Sequence, residues 1–174
     1  MKAFMDRDFL LETETARHLF HDIAEGLPIV DYHCHISPKE IWEDRRFDNL
    51  AQAWLGGRNP DGSCSGDHYK WRLMRMNGTP EEYVTGDRPD RERFLKFAEA
   101  LELSPGSPMM HWCHMELKTF FGCDTPLTAA TAKEVWDLCN EKLRNDPELS
   151  VRGMIRKSNV VFIGTTDDPA DTLE

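Results

Sequence analysis

Two imidazoles separated by a single residue, His33-Cys34-His35, are the sharpest chemical feature of the sequence. In an extended strand, residues i and i+2 project to the same side, so both rings point together and Cys34 points the other way. Asp31 shares the histidine side, one step earlier in the same alternation. Imidazole nitrogens are standard zinc ligands, and a pair on one strand can share a divalent cation, with other positions left to a further ligand and to water. Two histidines do not complete such a site, and a pair satisfied by hydrogen bonds at a strand end is the alternative. Cys34, on the opposite face, reads as buried rather than nucleophilic.

Three further segments carry reactive side chains. Asp67-His68-Tyr69-Lys70-Trp71-Arg72 packs acidic, aromatic and basic groups into a helix start. A tyrosine can act as acid or base if a cation lowers its pKa, and an arginine can fork onto a carboxylate. Taken alone, the same residues read as an amphipathic helix with Tyr69, Leu73 and Met76 as its buried stripe. His111-Trp112-Cys113-His114 places two histidines at i, i+3 on a helix, but no matching Cys/His pair elsewhere supports a zinc finger. Core packing or pocket lining is the expectation there. Thr165-Thr166-Asp167-Asp168 lies at a strand end, where pocket residues of α/β folds collect, although Asp168 before a proline also serves as a helix cap.

The elements that must position these groups follow from spacing and punctuation. Ala16, Leu19, Phe20, Ile23 and Ala24 recur at helical spacing behind Thr13, and Gly26 supplies a stop. Residues 28–35 form a short β-prone run, and Ser37-Pro38-Lys39-Glu40 then has a capping residue, a proline at the first helical position and a glutamate three after the cap. Short helices are expected from Asn49 to Leu55 and from Asp67 to Met76, with 58–66 as a loop. Thr79-Pro80-Glu81-Glu82 is another helix start. Phe94, Phe97, Ala98 and Leu101 form one helical stripe, and Met109, Trp112, Cys113, Glu116 and Phe120 another. A further helix beginning near Thr131 carries Val135, Leu138 and Cys139. Val160 to Thr166 is a continuous apolar run of strand length, the pattern of a parallel strand buried on both faces. The organisation expected is a helix and first strand over 1–36, a helical insertion over 37–158, and a second strand with the start of a helix over 159–174. Two strands buried on both faces need neighbours that this stretch does not offer, so it reads as part of a longer polypeptide. A compact helical domain with two edge strands is the bland alternative.

The chain has 174 residues, with 40% hydrophobic and 30% charged, which fits a soluble globular protein. A formal net charge of −10 argues against non-specific nucleic-acid binding, which rests on lysines and arginines neutralising phosphates. No apolar run approaches membrane-spanning length, and Asp6, Asp8, Glu12 and Glu14 break any signal-peptide pattern, so a cytoplasmic protein without membrane attachment is expected. Five scattered cysteines without a CxxC read as reduced thiols.

Phe4 to Glu12, Asp31 to His35, Gly66 to Arg72, His111 to Leu117 and Gly164 to Pro169, taken together and in this order, resemble the uronate isomerase family of the amidohydrolase superfamily. GDHYKWR and GTTDDP carry far more of that resemblance than the bare HxH. It implies an α/β fold of the metal-dependent (β/α)8 TIM-barrel type, incomplete in this chain, whose part here is mostly helical with two parallel barrel strands. It also implies interconversion of D-glucuronate with D-fructuronate and of D-galacturonate with D-tagaturonate, in hexuronate catabolism. The chemistry is aldose–ketose isomerisation through an enediol, with a divalent metal such as zinc stabilising the developing charge. By the same resemblance His33 and His35 are metal ligands, and Tyr69 is an acid/base or substrate-orienting group. His68, Trp71, Arg72 and Asp167 line the sugar-acid pocket. The departure from the family is length: the remaining ligand and the later strands are not present here. A metal-dependent hydrolase on the same barrel, and a non-catalytic helical module, are the competing readings. The partner implied is a hexuronate substrate, and a homo-oligomer is left open.

Overall fold

The computed structural model describes residues 4–59, 61–168 and 170. The chain divides into two compact units, one made of 1–46 and 146–174 and the other of 47–145. The helices at Pro38–Trp42 and Val151–Lys157 fall in the first unit.

In the first unit, helix α1 (Glu14–His18) starts where the Thr13 side chain accepts the Ala16 N–H, and it runs on as a π-helical turn over Leu19–Ala24. Strand β1 (Ile29–Cys34) follows, and helix α2 (Pro38–Trp42) begins with proline in its first turn, behind Ser37. Ser37 makes no capping hydrogen bond through its side chain, so proline geometry, not a capping box, starts this helix.

The second unit opens with helix α3 (Leu50–Leu55), capped by Asn49 and stopped at Gly56 with φ of 63°. The expected loop at 58–66 contains a minimal antiparallel hairpin, β2 (Gly57–Arg58) and β3 (Cys64–Ser65). Asn59, Asp61 and Ser63 hydrogen-bond one another inside it, giving turn residues a ladder that sequence spacing did not reveal. Helices α4 (His68–Met76), α5 (Glu81–Val84), α6 (Asp90–Glu102), α7 (Pro108–Phe121) and α8 (Ala132–Asn145) complete the unit. Its core is the stripe expected on α6, with Phe94, Phe97, Ala98 and Leu101 fully buried, against Trp54 of α3 and Trp136 of α8.

Two stripes are rotated from expectation. On α4 the buried residues are Lys70, Leu73 and Met74, whereas Tyr69 and Met76 are 56% and 79% exposed. Lys70 takes the inward position because Asp67, one turn before it, receives its ammonium at 2.9 Å. On α7 the buried face is Met109, Cys113, His114, Leu117 and Phe121, and Trp112 is 53% exposed. His114 turns inward because both ring nitrogens have backbone partners, the Met110 carbonyl at 2.6 Å and the Leu127 N–H at 2.8 Å.

Returning to the first unit, the chain makes a 3-10 turn (Pro147–Leu149), helix α9 (Val151–Lys157) and strand β4 (Val160–Thr165). Strands β1 and β4 pair in parallel, with Ile29 opposite Val160 and Cys34 opposite Thr165. Gly164 lets the strands approach closely, since a Cβ there would sit 2.9 Å from the Tyr32 carbonyl oxygen. Cys34 is buried and Val160 and Ile163 are half-buried, but Val30, Val161 and Phe162 are all more than half exposed. The chain is thus mostly helical with two parallel strands, the α/β character expected for part of a (β/α)8-type chain. The helix start expected at Asp168 lies largely outside the described residues, and within them Asp168 accepts the Ala170 N–H. No helix among the described residues is long and apolar enough to cross a membrane.

Candidate active site

The site residues expected from sequence fall on both units. On the first unit, His33 lies in the last turn of the β1 pleat and His35 one residue beyond the strand, both exposed. Their Nε2 atoms converge to 3.2 Å, with ring centroids 4.9 Å apart and ring planes at 83°. The side-by-side projection expected from strand alternation is therefore realised, and Cys34 is buried on the other face, 6% exposed. Asp31 does not join the pair; its carboxylate accepts the His33 backbone N–H at 3.4 Å. Thr166, the first residue past β4, brings its Oγ1 to 3.0 Å from His35 Nδ1, while its backbone N–H donates to the Cys34 carbonyl at 3.2 Å. Asp167 lies exposed on the bend that follows.

Two nitrogens 3.2 Å apart suit a shared cation. Zinc–nitrogen bonds of about 2.0–2.1 Å in tetrahedral geometry place two ligand nitrogens roughly 3.3–3.4 Å apart. Among the described residues no group of three or more His, Cys, Asp or Glu side chains gathers around a common point. Among the described residues the donor set at this point is thus the two imidazoles.

On the second unit, the α4 N-terminus presents His68, Tyr69 and Arg72 outward. The His68 and Tyr69 rings lie 4.2 Å apart at 34°, and the Arg72 guanidinium lies 6.0 Å from the Tyr69 ring centre. Tyr69 and Arg72 line one end of a shallow, mostly apolar groove of about 330 Å³, which continues along Leu73, Met76, Met109 and Trp112. Trp71 has a different setting. Its indole N–H donates to the Leu55 carbonyl at 2.8 Å, tying α4 to the end of α3. Gly66 is required beside it, since a Cβ at this position would lie 2.3 Å from the same Leu55 oxygen.

The helix turn that carries these groups rests on a buried polar cluster that residue spacing did not identify. The Asp67 carboxylate accepts the Tyr69 N–H at 2.8 Å and the Lys70 ammonium at 2.9 Å. Burial works against the Asp67 charge, but Lys70 and the two backbone donors hold the carboxyl below its usual range. Burial likewise opposes the Lys70 charge, and Cys113, Glu116 and Asp67 outweigh it and raise the ammonium. Burial raises Glu116 against the pull of Lys70 and a hydrogen bond from Trp54. A lysine three residues after a capping aspartate, with a glutamate inside an apolar helix, was the available signal. Arg93, 4% exposed, is the other unforeseen group, and it donates to the carbonyls of Gly56 at 2.9 Å and Val84 at 3.0 Å. The histidines of the HWCH segment divide: His114 is a core residue held by backbone, as the packing alternative required.

A family model for glucuronate isomerase matches residues 1–174. The chain is 58% identical over 174 residues to a uronate isomerase of Lachnospira eligens, covering 100% of this chain and 35% of the relative. It is 50% identical over 175 residues to a uronate isomerase of Bacteroides thetaiotaomicron, again with 100% and 35% covered. The crystal structure of uronate isomerase from Thermotoga maritima superposes with a TM-score of 0.85 at 34% identity, over 99% of this chain and 36% of that one. Glucuronate isomerase from Caulobacter crescentus shares the fold at a TM-score of 0.75, with 22% identity, 93% of this chain and 34% of that one covered. The chain spans about a third of the length of these relatives. A match running through every residue, from the β1 histidines to the strand that pairs with them, establishes that this chain belongs to the glucuronate isomerase family.

Proposed function

We propose that this chain supplies part of the active site of a uronate isomerase that interconverts D-glucuronate with D-fructuronate and D-galacturonate with D-tagaturonate. The observation that carries the proposal is the convergence of His33 and His35 at the mouth of β1, in a chain whose whole length matches the family. The reaction moves a proton from C2 to C1 of the open-chain sugar acid through an enediol, so it needs a base, an acid and positive charge near the C1–C2 oxygens. His33 and His35 would hold a divalent cation, zinc being the choice that imidazole favours. Such a cation supplies Lewis-acid stabilisation of charge developing on those oxygens.

The other groups belong to this chain's own chemistry. Tyr69 is proposed to move or orient the proton, since its phenol is exposed and sits between an imidazole and a guanidinium. Arg72 is proposed to bind the sugar carboxylate, for which its planar fork is suited, with His68 and Asp167 contacting hydroxyl groups. For Trp71 the proposed contribution to the pocket is through placement of the α4 turn, given its hydrogen bond to Leu55. Five free thiols accord with a reducing, cytoplasmic setting. Membership of the amidohydrolase superfamily is part of the same proposal.

The test is a chimera in which this chain replaces the matching residues of the Lachnospira eligens relative. The chimera is assayed with zinc on the two aldehexuronates and, separately, on amide and ester substrates. Turnover of uronates alone is expected. A folded chimera that hydrolyses amides or esters and leaves uronates untouched would replace the isomerase reading with a hydrolase.

A further inference from the structure

We propose that Thr166 is a positioning residue that keeps His35 in the tautomer with its proton on Nδ1, so that the Nε2 lone pair faces His33. The inference rests on the proposal that the pair holds a divalent cation, and adds to it a residue and a proton arrangement. Only 3.2 Å separates the two Nε2 atoms, so a single proton lies between them and one ring donates to the other. The choice is coupled to the far side of His35, where Thr166 Oγ1 stands 3.0 Å from Nδ1.

Two arrangements satisfy these distances. If the Thr166 hydroxyl donates to Nδ1, the His35 proton sits on Nε2 and points at His33, occupying the space between the rings. If Nδ1–H donates to Oγ1, His35 Nε2 is a bare acceptor and His33 supplies the proton between the rings. A neutral imidazole that ligates through Nε2 must carry its proton on Nδ1, and outer partners of ligating histidines commonly fix this choice. The second arrangement therefore leaves His35 ready to bind, and only the His33 proton has to leave its Nε2.

Thr166 is well held for this task. Its backbone N–H donates to the Cys34 carbonyl at 3.2 Å, which ties it to the end of β1 beside His35. A β-branched side chain has few χ1 choices, so the position of Oγ1 beside Nδ1 is restricted. The contact joins residues 35 and 166 across the parallel pair, so the proton arrangement at His35 depends on correct β1–β4 register.

The experiment uses the chimera with the Lachnospira eligens relative, labelled with 15N-histidine, unsubstituted (the wild type) and as Thr166→Val and Thr166→Ser. Long-range 1H–15N correlation spectra without metal read the His35 tautomer directly. Nδ1–H is expected to dominate in the wild type and in Thr166→Ser, and to give way to a mixture in Thr166→Val. A wild type already in the Nε2–H form, or a Thr166→Val spectrum identical to the wild type, overturns the proposal. Zinc titration in competition with a chromophoric chelator provides the second readout. Thr166→Val is expected to bind about 10–100-fold more weakly, with Thr166→Ser near the wild type. Equal zinc affinity in wild type and Thr166→Val also overturns it. Absence of zinc binding in a wild type with the expected tautomer overturns the cation reading while leaving the Thr166 contact established.

Discussion

Replacing Arg93 by leucine should unfold the second unit at clearly lower denaturant, because this side chain clamps the carbonyls at the ends of two helices, α3 and α5. The guanidinium, 5% exposed, donates to Gly56 O at 2.9 Å and Val84 O at 3.0 Å, with longer contacts at 3.4 Å to Leu55 O and Tyr83 O. Each hydrogen bond to a charged group contributes about 1.5–3 kcal/mol, and the two short ones set a floor of about 3 kcal/mol. Breaking a buried ion pair on one side costs about 3–5 kcal/mol, but the lower end applies here. Asp90, the carboxylate partner, is 31% exposed and keeps Asn49 Nδ2 at 2.8 Å when the arginine is gone. The stranded group is the carbonyl of Val84, a wholly buried residue, whereas Leu55 O keeps the Trp71 indole N–H at 2.8 Å. We therefore expect a loss of about 3 kcal/mol for Arg93→Leu, with Arg93→Lys in between because one ammonium cannot reach two helix ends. Urea unfolding followed by tryptophan fluorescence measures it, and hydrogen exchange should accelerate over 55–66. A loss under about 1 kcal/mol, the range of an unexceptional surface change, would refute the clamp.

Further outcomes follow from neighbouring contacts. Gly66→Ala should destabilise by about 1–3 kcal/mol, because its Cβ would meet the Leu55 carbonyl at 2.3 Å and backbone has to shift; a Tm equal to wild type would contradict this. Trp71→Phe should cost about 1 kcal/mol, and its effect should not add to that of Arg93→Leu, since both donors share the Leu55 oxygen; a double-mutant cycle measures the coupling. Burial lowers the His114 pKa from 6.5, ahead of the opposing Met110 hydrogen bond, so the neutral ring is the folded form. Its contribution to stability is present above the unfolded value and lost as pH falls below it, so unfolding free energy should drop between pH 7 and 5. That drop should shrink in His114→Gln, and an unchanged pH slope in the variant would count against it.

The strands and the main helices were legible because their signals are local. Apolar runs, capping residues and prolines mark β1, β4, α2, α3 and α4 without reference to anything distant. The projection of His33 and His35 together followed from strand alternation alone. What spacing could not show is which way a helix turns when a polar residue is drawn inward. Lys70 displaces Tyr69 from the buried side of α4 because Asp67 waits one turn back, and His114 displaces Trp112 on α7 because Met110 and Leu127 offer backbone partners. Arg93 was silent for the same reason, since its acceptors lie on segments 9 to 38 residues away in sequence. Thr166 stood within a recognised strand end, but its meeting with His35 depends on a parallel pairing across 131 residues.

The proposed role of His33 and His35 is in uronate isomerisation. It is tested most directly by the rate at which the chimera with the Lachnospira eligens relative converts D-glucuronate, measured with zinc beside its His33→Ala and His35→Ala variants. Conversion by the chimera is expected, with turnover lost and fold retained in both variants. Full activity in either alanine variant, or an inert chimera that is folded and zinc-loaded, would contradict it.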